Sequence, residues 1–198
     1  GFNSLGDNLF VVNFASVIGI FSPGSGFKFS SFAPPLPGTN PFPLHLTSEN
    51  RVLYALNRAE IGEDGADLEL PLAVFDGNNL VPNTVFFRHR GVRYGQITKL
   101  GELAVIGGMD GGVALYSTAD GEQLHRWELQ DQPVTNILIS PDDRFAVTCG
   151  TEQAFILELA QPFRTIAVVH DGPIHSIAIS PDGELLATGS EDNSARLW

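Results

Sequence analysis

Three residues near the end of the chain have the side-chain types of a hydrolytic triad: His170, Thr188 and Asp192. In such a triad the histidine takes the proton of a hydroxyl nucleophile, and the aspartate orients the histidine. The hydroxyl must be exposed and lie beside an oxyanion hole. Thr188 instead lies in the middle of a short predicted strand, and the chain has no Gly-x-Ser-x-Gly elbow. We therefore reject hydrolysis and expect no enzymatic activity.

The stretch from His170 to Trp198 predicts three short strands. Ser180-Pro181-Asp182-Gly183 predicts a tight turn, because proline fixes φ and glycine is free to take a positive φ. Asp192-Asn193 predicts a second turn. The predicted strands between these turns are 174–179, 185–190 and 195–198. Strands of about five residues separated by turn residues predict an antiparallel meander.

The same pattern occurs twice earlier in the chain. Ser140-Pro141-Asp142-Asp143 precedes another apolar run and lies 40 positions before the Ser-Pro-Asp-Gly turn. One repeat before that, Gly107 to Gly111 matches the glycine and aspartate pattern of residues 189–193. A period of about 40 residues, each unit with several short strands, predicts a β-propeller.

The run HDGPIHSIAISPDGELLATGSEDNSARLW closely resembles a WD repeat (WD40). The resemblance covers 170–198 strongly and 97–169 fairly. It implies an all-β propeller of four-stranded antiparallel blades over residues 1–198. The strand pattern gives about five blades, and we expect them to be part of a seven-bladed propeller.

The resemblance also implies a buried structural network of His170, Thr188, Asp192 and Trp198. Its chemistry is self-consistent, since tryptophan donates, aspartate accepts, and threonine and histidine can do both. The two earlier units depart from the pattern. One has Gln130, Thr148, Glu152 and Glu158 at the four positions, and the other has Asp110 and Tyr116 with Ile106 at the hydroxyl position.

Composition limits the partner classes. The 198 residues carry a net charge of −12, which gives no general attraction to nucleic-acid phosphates, so we expect no nucleic-acid binding. The single cysteine cannot form a disulfide within the chain, and no Asn-x-Ser/Thr sequon occurs. Both features favour an intracellular location, cytoplasmic or nuclear. No apolar run is long enough for a membrane-spanning helix, so no membrane insertion is expected.

Two segments stand out in the first half of the chain. Residues 33–43 contain five prolines and predict a loop between blades, because each proline removes a donor from a sheet. Residues 59–69 are acidic and predict a solvated hairpin loop, since they lack the regular aspartate spacing of a calcium loop. The Arg88–Arg93 basic cluster has two interpretations, an intramolecular counter-charge or a partner site.

Metal and cofactor sites are not predicted. The glycine-rich run at 107–112 lacks the Gly-Lys-Ser/Thr of a phosphate loop. The five histidines have no metal-ligand spacing, and we expect Cys149 to pack as a small apolar residue.

The resemblance implies a protein–protein interaction scaffold that presents loops to partner proteins or peptides in an intracellular complex. The candidate partner-binding residues flank the turns between strands: Met109, Asp131, Gln132, Asp171, His175 and Glu191. Two alternatives remain: a propeller module with an assembly or trafficking role in a larger multidomain protein, and a propeller enzyme or small-ligand binder.

The last predicted strand, Ala195–Trp198, has no fourth strand after it in the sequence. Residues 1–8 form a poor strand, so neither end supplies an outer strand for the last blade. We expect these residues to be part of a larger propeller. We also expect the isolated chain to self-associate through the unpaired edge.

Overall fold

The computed structural model describes residues 9–12, 18–22, 28–32, 39–46, 51–58, 69–76, 86–151 and 153–198. Within these ranges the chain consists of β-strands and turns and contains no helix, which confirms the predicted all-β class. The strands are β1 (Leu9–Val12), β2 (Ile18–Ser22), β3 (Lys28–Phe32), β4 (Thr39–Leu46), β5 (Arg51–Arg58), β6 (Glu69–Asp76), β7 (Phe86–Arg90), β8 (Val92–Ile97), β9 (Leu103–Gly108), β10 (Gly112–Ser117), β11 (Gln123–Glu128), β12 (Asn136–Ile139), β13 (Phe145–Cys149), β14 (Gln153–Glu158), β15 (Thr165–Val169), β16 (Ile174–Ile179), β17 (Leu186–Ser190) and β18 (Ala195–Leu197).

The described strands form five sheets in which sequence neighbours pair. In chain order, the first sheet is β1–β3, the second β4–β7, the third β8–β11, the fourth β12–β15 and the fifth β16–β18. The strand pairs whose registers are described are antiparallel. In the fourth sheet, for example, Val147 pairs with both Leu138 and Ile156. Turns of only a few residues join the strands, and such turns allow antiparallel rather than parallel pairing.

The predicted proline-rich loop over 33–43 is wrong for residues 39–43. Those residues belong to β4, and Pro41 and Pro43 pair with Leu56 and Tyr54 of β5. β4 lies at the edge of the second sheet among the described strands, and edge strands tolerate proline because only one side of them pairs with a neighbour. The register shifts just after Pro43. Residues 33–38, and all of the predicted acidic loop except Glu69, lie outside the described residues.

The chain divides into two compact units. The first comprises residues 1–91, 97–104 and 117–122, and its buried apolar side chains include Leu53, Leu72 and Val74. The second comprises residues 92–96, 105–116 and 123–198. Its central strands are buried along almost their whole length, for example Ala146 to Cys149 in β13. Such continuous burial indicates that both faces of these strands are covered by other parts of the protein.

One turn type precedes the second strand of three successive sheets. Phe145 N donates to Ser140 Oγ at 3.0 Å, and Leu185 N donates to Ser180 Oγ at 2.9 Å. The Ser140 hydroxyl also donates to Asp142, and the Ser180 hydroxyl donates to Asp182. These hydroxyls lower the pKa of both aspartates below the ordinary value.

The third copy of this turn has no Ser-Pro-Asp sequence. Leu103 N donates to Thr98 Oγ1 at 3.0 Å, and Gly101 takes the positive φ of 76° that Gly183 takes in the last copy. Asp143 has a φ of 59° at the same place. A hydroxyl at the first position and a left-handed residue at the fourth therefore define the turn.

We expect Gly183→Ala to destabilise the fold through backbone strain alone. A Cβ at this position would meet its nearest atoms at 3.7 Å, an ordinary contact, but φ is 76°. A left-handed conformation costs an L-residue about 1–2 kcal/mol. Urea denaturation should show that loss, whereas Glu184→Ala at the exposed neighbouring position should show little change. Equal stability of the two variants would contradict the assignment of Gly183 to this conformation.

Candidate functional site

The predicted network residues come together in the fifth sheet. His170 precedes β16, Thr188 lies in β17, Asp192 lies in the β17–β18 turn, and Trp198 follows β18. His170 Nδ1 is 3.0 Å from Asp192 Oδ2, and His170 Nε2 is 2.7 Å from Thr188 Oγ1. Trp198 Nε1 donates to Thr188 Oγ1 at 3.0 Å. The chain of contacts therefore runs from the aspartate through histidine and threonine to the tryptophan.

One proton arrangement satisfies every member of this chain. His170 donates from Nδ1 to Asp192 and accepts at Nε2 from the Thr188 hydroxyl, whose oxygen accepts from Trp198. The His170 side chain is 0% exposed and Thr188 is 2% exposed. Trp198 is 41% exposed, so the expectation that all four are buried is wrong for this ring. Trp198 follows β18, the outermost described strand of the fifth sheet.

Two further residues complete the surroundings of Asp192. The Ser194 hydroxyl donates to Asp192 Oδ1 at 2.6 Å, and Arg196 Nη2 donates to Asp192 Oδ2 at 3.3 Å. The bonds from Ser194 and then His170 hold the pKa of Asp192 well below its usual value. The sequence analysis missed both residues. The Asp-Asn-Ser spacing was a usable signal for Ser194, because an aspartate in a turn commonly accepts from groups two residues on.

This arrangement favours a structural role over nucleophilic catalysis. The oxygen of Thr188 is buried and already contacts both His170 and Trp198. An attacking hydroxyl needs room for a substrate and donors for an oxyanion, and the network offers neither at this oxygen. The structural role of the four residues stays a prediction that stability measurements test.

The preceding sheets carry different contacts at the equivalent positions. In the fourth sheet, Gln130 Nε2 donates to Gln132 O at 3.0 Å. Thr148 Oγ1 is buried there and has no hydrogen-bond partner within the described part of the chain. In the third sheet, Asp110 forms an ion pair of 2.7 Å with Arg126, and Tyr116 donates to Gln123. Ile106 is fully buried, and Glu152 lies outside the described residues.

The partner-binding candidates lie on turns that hydrogen bonds connect along one side of the second unit. Val134 N donates to Gly108 O at 3.1 Å, which joins the β11–β12 loop to the β9–β10 turn. Ile174 N donates to Thr151 O at 3.1 Å, which repeats this connection between the fourth and fifth sheets. Glu191 N donates to Pro173 O at 2.9 Å. We call these turns, 108–112, 129–134, 149–151, 170–174 and 190–194, the loop edge.

Each candidate has an identified position at or beside the loop edge. Arg93 Nη1 lies 3.6 Å from Met109 Sδ, and Thr151 donates to the Gln132 side chain. Asp171 is 89% exposed and contacts Arg196 at 3.4 Å. His175, the second residue of β16, lies 3.8 Å from Glu191, and both side chains are about two-thirds exposed. Asp131 is also exposed.

Other chemistry is sparse in the described residues. They contain no group of three or more His, Cys, Asp or Glu side chains that could hold a metal ion. Cys149 is buried beside the Thr135 hydroxyl, and burial raises the pKa of its thiol. No helix long and apolar enough to cross a membrane is found in these ranges.

We expect Thr188→Val to destabilise the fold by about 1–3 kcal/mol, because it leaves His170 and Trp198 without their shared partner. Thr188→Ser keeps the hydroxyl and serves as the matched control, with a clearly smaller loss. Thermal and urea unfolding of both variants measure the difference. If valine and serine are equally tolerated, the hydroxyl has no structural role.

Asp192 predicts a specific pH dependence. Its folded-state pKa is below the unfolded value, so its stabilisation is full above about pH 4 and decreases as the pH falls further. Asp192→Asn should therefore be less stable than the parent at about pH 7, and the gap should narrow towards about pH 2. Urea midpoints of both proteins across this range give the gap directly. A gap that does not change with pH would contradict the assignment.

Comparison with known proteins identifies the fifth sheet. The family model described as "WD domain, G-beta repeat" matches residues 161–198, which include the whole network. Human serine-threonine kinase receptor-associated protein is 66% identical over 29 residues, which are 15% of this chain and 8% of that protein.

Longer matches extend over more than half of the chain. The U3 small nucleolar RNA-associated protein 18 homolog of Drosophila melanogaster is 30% identical over 121 residues, 60% of this chain and 23% of the relative. The WD repeat domain-containing protein 83 homolog of Dictyostelium discoideum is 24% identical over 119 residues, 59% of this chain and 37% of the relative. The chain thus spans 23% and 37% of the length of these two relatives. The family model thus identifies residues 161–198 as a WD repeat, and over more than half of its length the chain is similar to relatives that include a WD repeat domain-containing protein.

Proposed function

We propose that this chain is a protein–protein interaction scaffold whose loop edge binds partner proteins. The observation that supports this proposal best is the placement of the six candidate residues at or beside turns that hydrogen bonds join along one side of the second unit. Rigid sheets hold these turns, while side chains such as Asp171 and Glu191 extend into solvent. Binding residues on loops held by a rigid framework are a common basis of recognition.

The architecture that fits this function is a seven-bladed propeller, with the described sheets as blades. Two features support it. The spacing of about 40 residues between matching turns is typical of propeller blades. In addition, the hydrogen bonds from Val134 to Gly108 and from Ile174 to Thr151 join successive sheets in the same way. Residues 1–198 would then be one repeat array.

The partners in this proposal are proteins of an intracellular complex, cytoplasmic or nuclear. The name of the Drosophila relative refers to association with a small nucleolar RNA. If this chain works in an assembly of that kind, its net charge of −12 favours contact with proteins over contact with RNA phosphates. No cofactor is part of the proposal.

The second candidate function is an assembly or trafficking module within a larger protein. The lengths of the two longer-matching relatives favour it, since the chain covers only 23% and 37% of them. A propeller enzyme or small-ligand binder has less support from the two cavities described within residues 130–175. The cavity beside Gln130 has a volume of about 280 Å³, and that beside His175 about 210 Å³. Sites for drug-sized ligands are commonly larger, about 300–1,000 Å³.

The test compares substitutions at the two ends of the same sheets. Asp171→Arg and Gln132→Arg place cations at the loop edge, and Glu184→Arg places one in the turn at the far end of β16. All variants should melt like the parent. Affinity purification of the full-length protein, quantified by mass spectrometry, should show partners lost from the loop-edge variants and kept by Glu184→Arg. Retention of every partner by the loop-edge variants would overturn the proposal.

A further inference from the structure

Two cavities adjoin at the loop edge and share Thr151. The first, about 280 Å³, is lined by Gln130, Asp131, Gln132, Thr151 and Gln153. The second, about 210 Å³, is lined by Thr151 together with residues that include Thr135, Pro173 and His175. We call the two together the polar groove. Each has room for one or two side chains rather than a cofactor, since drug-sized ligands commonly occupy about 300–1,000 Å³.

The walls of the polar groove are held in place before any partner binds. Gln130 Nε2 donates to Gln132 O at 3.0 Å, and the Gln130 side chain lies directly over Gly150, where there is no space for a Cβ. The Thr151 hydroxyl donates to the Gln132 side chain. Thr135 donates to Gly150 O at 3.2 Å on the other side. A preformed wall lowers the entropy lost on binding.

The hydrogen-bonding groups of the groove match those of an extended peptide. Its first cavity carries three glutamine amides, and two of these residues, Gln132 and Gln153, are exposed. An amide side chain both donates and accepts, as does each peptide unit of a backbone. Neither phosphate nor carboxylate would use the accepting oxygens, because these anions are acceptors only.

The charges around the groove favour a basic partner. Asp131 is exposed on its wall and forms no ion pair within the described ranges. Glu191 is 66% exposed beside His175 at the other end. Arg196, the guanidinium at this end, already donates to Val169 O, Asp171 and Asp192. The chain as a whole carries a charge of −12, which attracts cationic segments at longer range.

We propose that the polar groove binds an extended segment of a partner protein that carries lysine or arginine side chains. The glutamine amides pair with the backbone of that segment, and Asp131 and Glu191 contact its cations. This inference rests on the proposed scaffold function and specifies the chemistry of the partner.

The experiment uses the full-length protein and short fluorescein-labelled peptides of alternating lysine and serine, with glutamine or glutamate in place of lysine as comparisons. Fluorescence polarisation should show binding of the lysine peptide alone. Asp131→Asn and Glu191→Gln should each weaken it about three- to tenfold, and the loss should shrink at high salt. Gln153→Arg, which puts a cation on the wall, should weaken it further.

Glu184→Gln is the matched control, because it also removes one exposed carboxylate but at the far end of β16. Equal weakening by Glu184→Gln and Asp131→Asn would mean non-specific attraction and would overturn the inference. So would preference for the glutamate peptide, or absence of binding by the lysine peptide. After any of these three outcomes, the scaffold function still stands if the loop-edge arginine variants lose their partners. Failure of the basic-peptide inference is therefore distinguishable from failure of the scaffold function.

Discussion

The hydrogen bonds of one buried imidazole join three parts of the fifth sheet. His170 precedes β16, yet its two nitrogens contact the turn after β17 through Asp192 and the middle of β17 through Thr188. A buried polar group without partners is costly, so the histidine is stable here only when both contacts form. That requirement fixes the position of the 170–174 loop relative to the 190–194 turn. The same loop is part of the proposed binding surface.

The other described sheets of the second unit reach a similar geometry with different contacts. At the position equivalent to Asp192, Asp110 pairs with Arg126 from β11 instead of a histidine. In the fourth sheet, Gln130 lies over Gly150, and the buried Thr148 hydroxyl has no partner within the described residues. What these sheets share is backbone hydrogen bonding between successive sheets. Val134 N donates to Gly108 O, and Ile174 N donates to Thr151 O. The repeat is therefore maintained by backbone connections, and the side-chain network is one way of fixing the loops.

One departure from the repeat lies in the proposed polar groove. The position that carries His170 in the last unit carries Gln130 in the preceding one, and Gln130 lines the polar groove. His170 contacts internal groups of the network only, whereas half-buried Gln130 donates to Gln132 O beside the exposed amides of Gln132 and Gln153. The loss of the network in the fourth sheet thus accompanies a gain of exposed amides beside Asp131.

Much of the fold follows from the sequence because turn residues act locally. Ser-Pro-Asp-Gly fixes its own backbone through proline, a positive φ and a hydroxyl that caps the next strand, and none of these needs a distant contact. The strands between such turns were predicted within a few residues, for example 174–179 and 185–190. The Thr98 turn has the same hydroxyl cap and glycine without the proline and aspartate of the Ser-Pro-Asp-Gly pattern.

Tertiary structure decided what depends on neighbours in space. Pro41 and Pro43 lie in a strand because that strand is at an edge, and a sequence does not say which strand is at an edge. Arg196 donates to Val169 O and Asp171 as well as to Asp192. The position of the β15–β16 loop determines these partners. The four network residues were identified from the family pattern, but the exposure of Trp198 was not. Residue types and spacing fix which groups can pair, whereas burial depends on which other parts of the chain cover them.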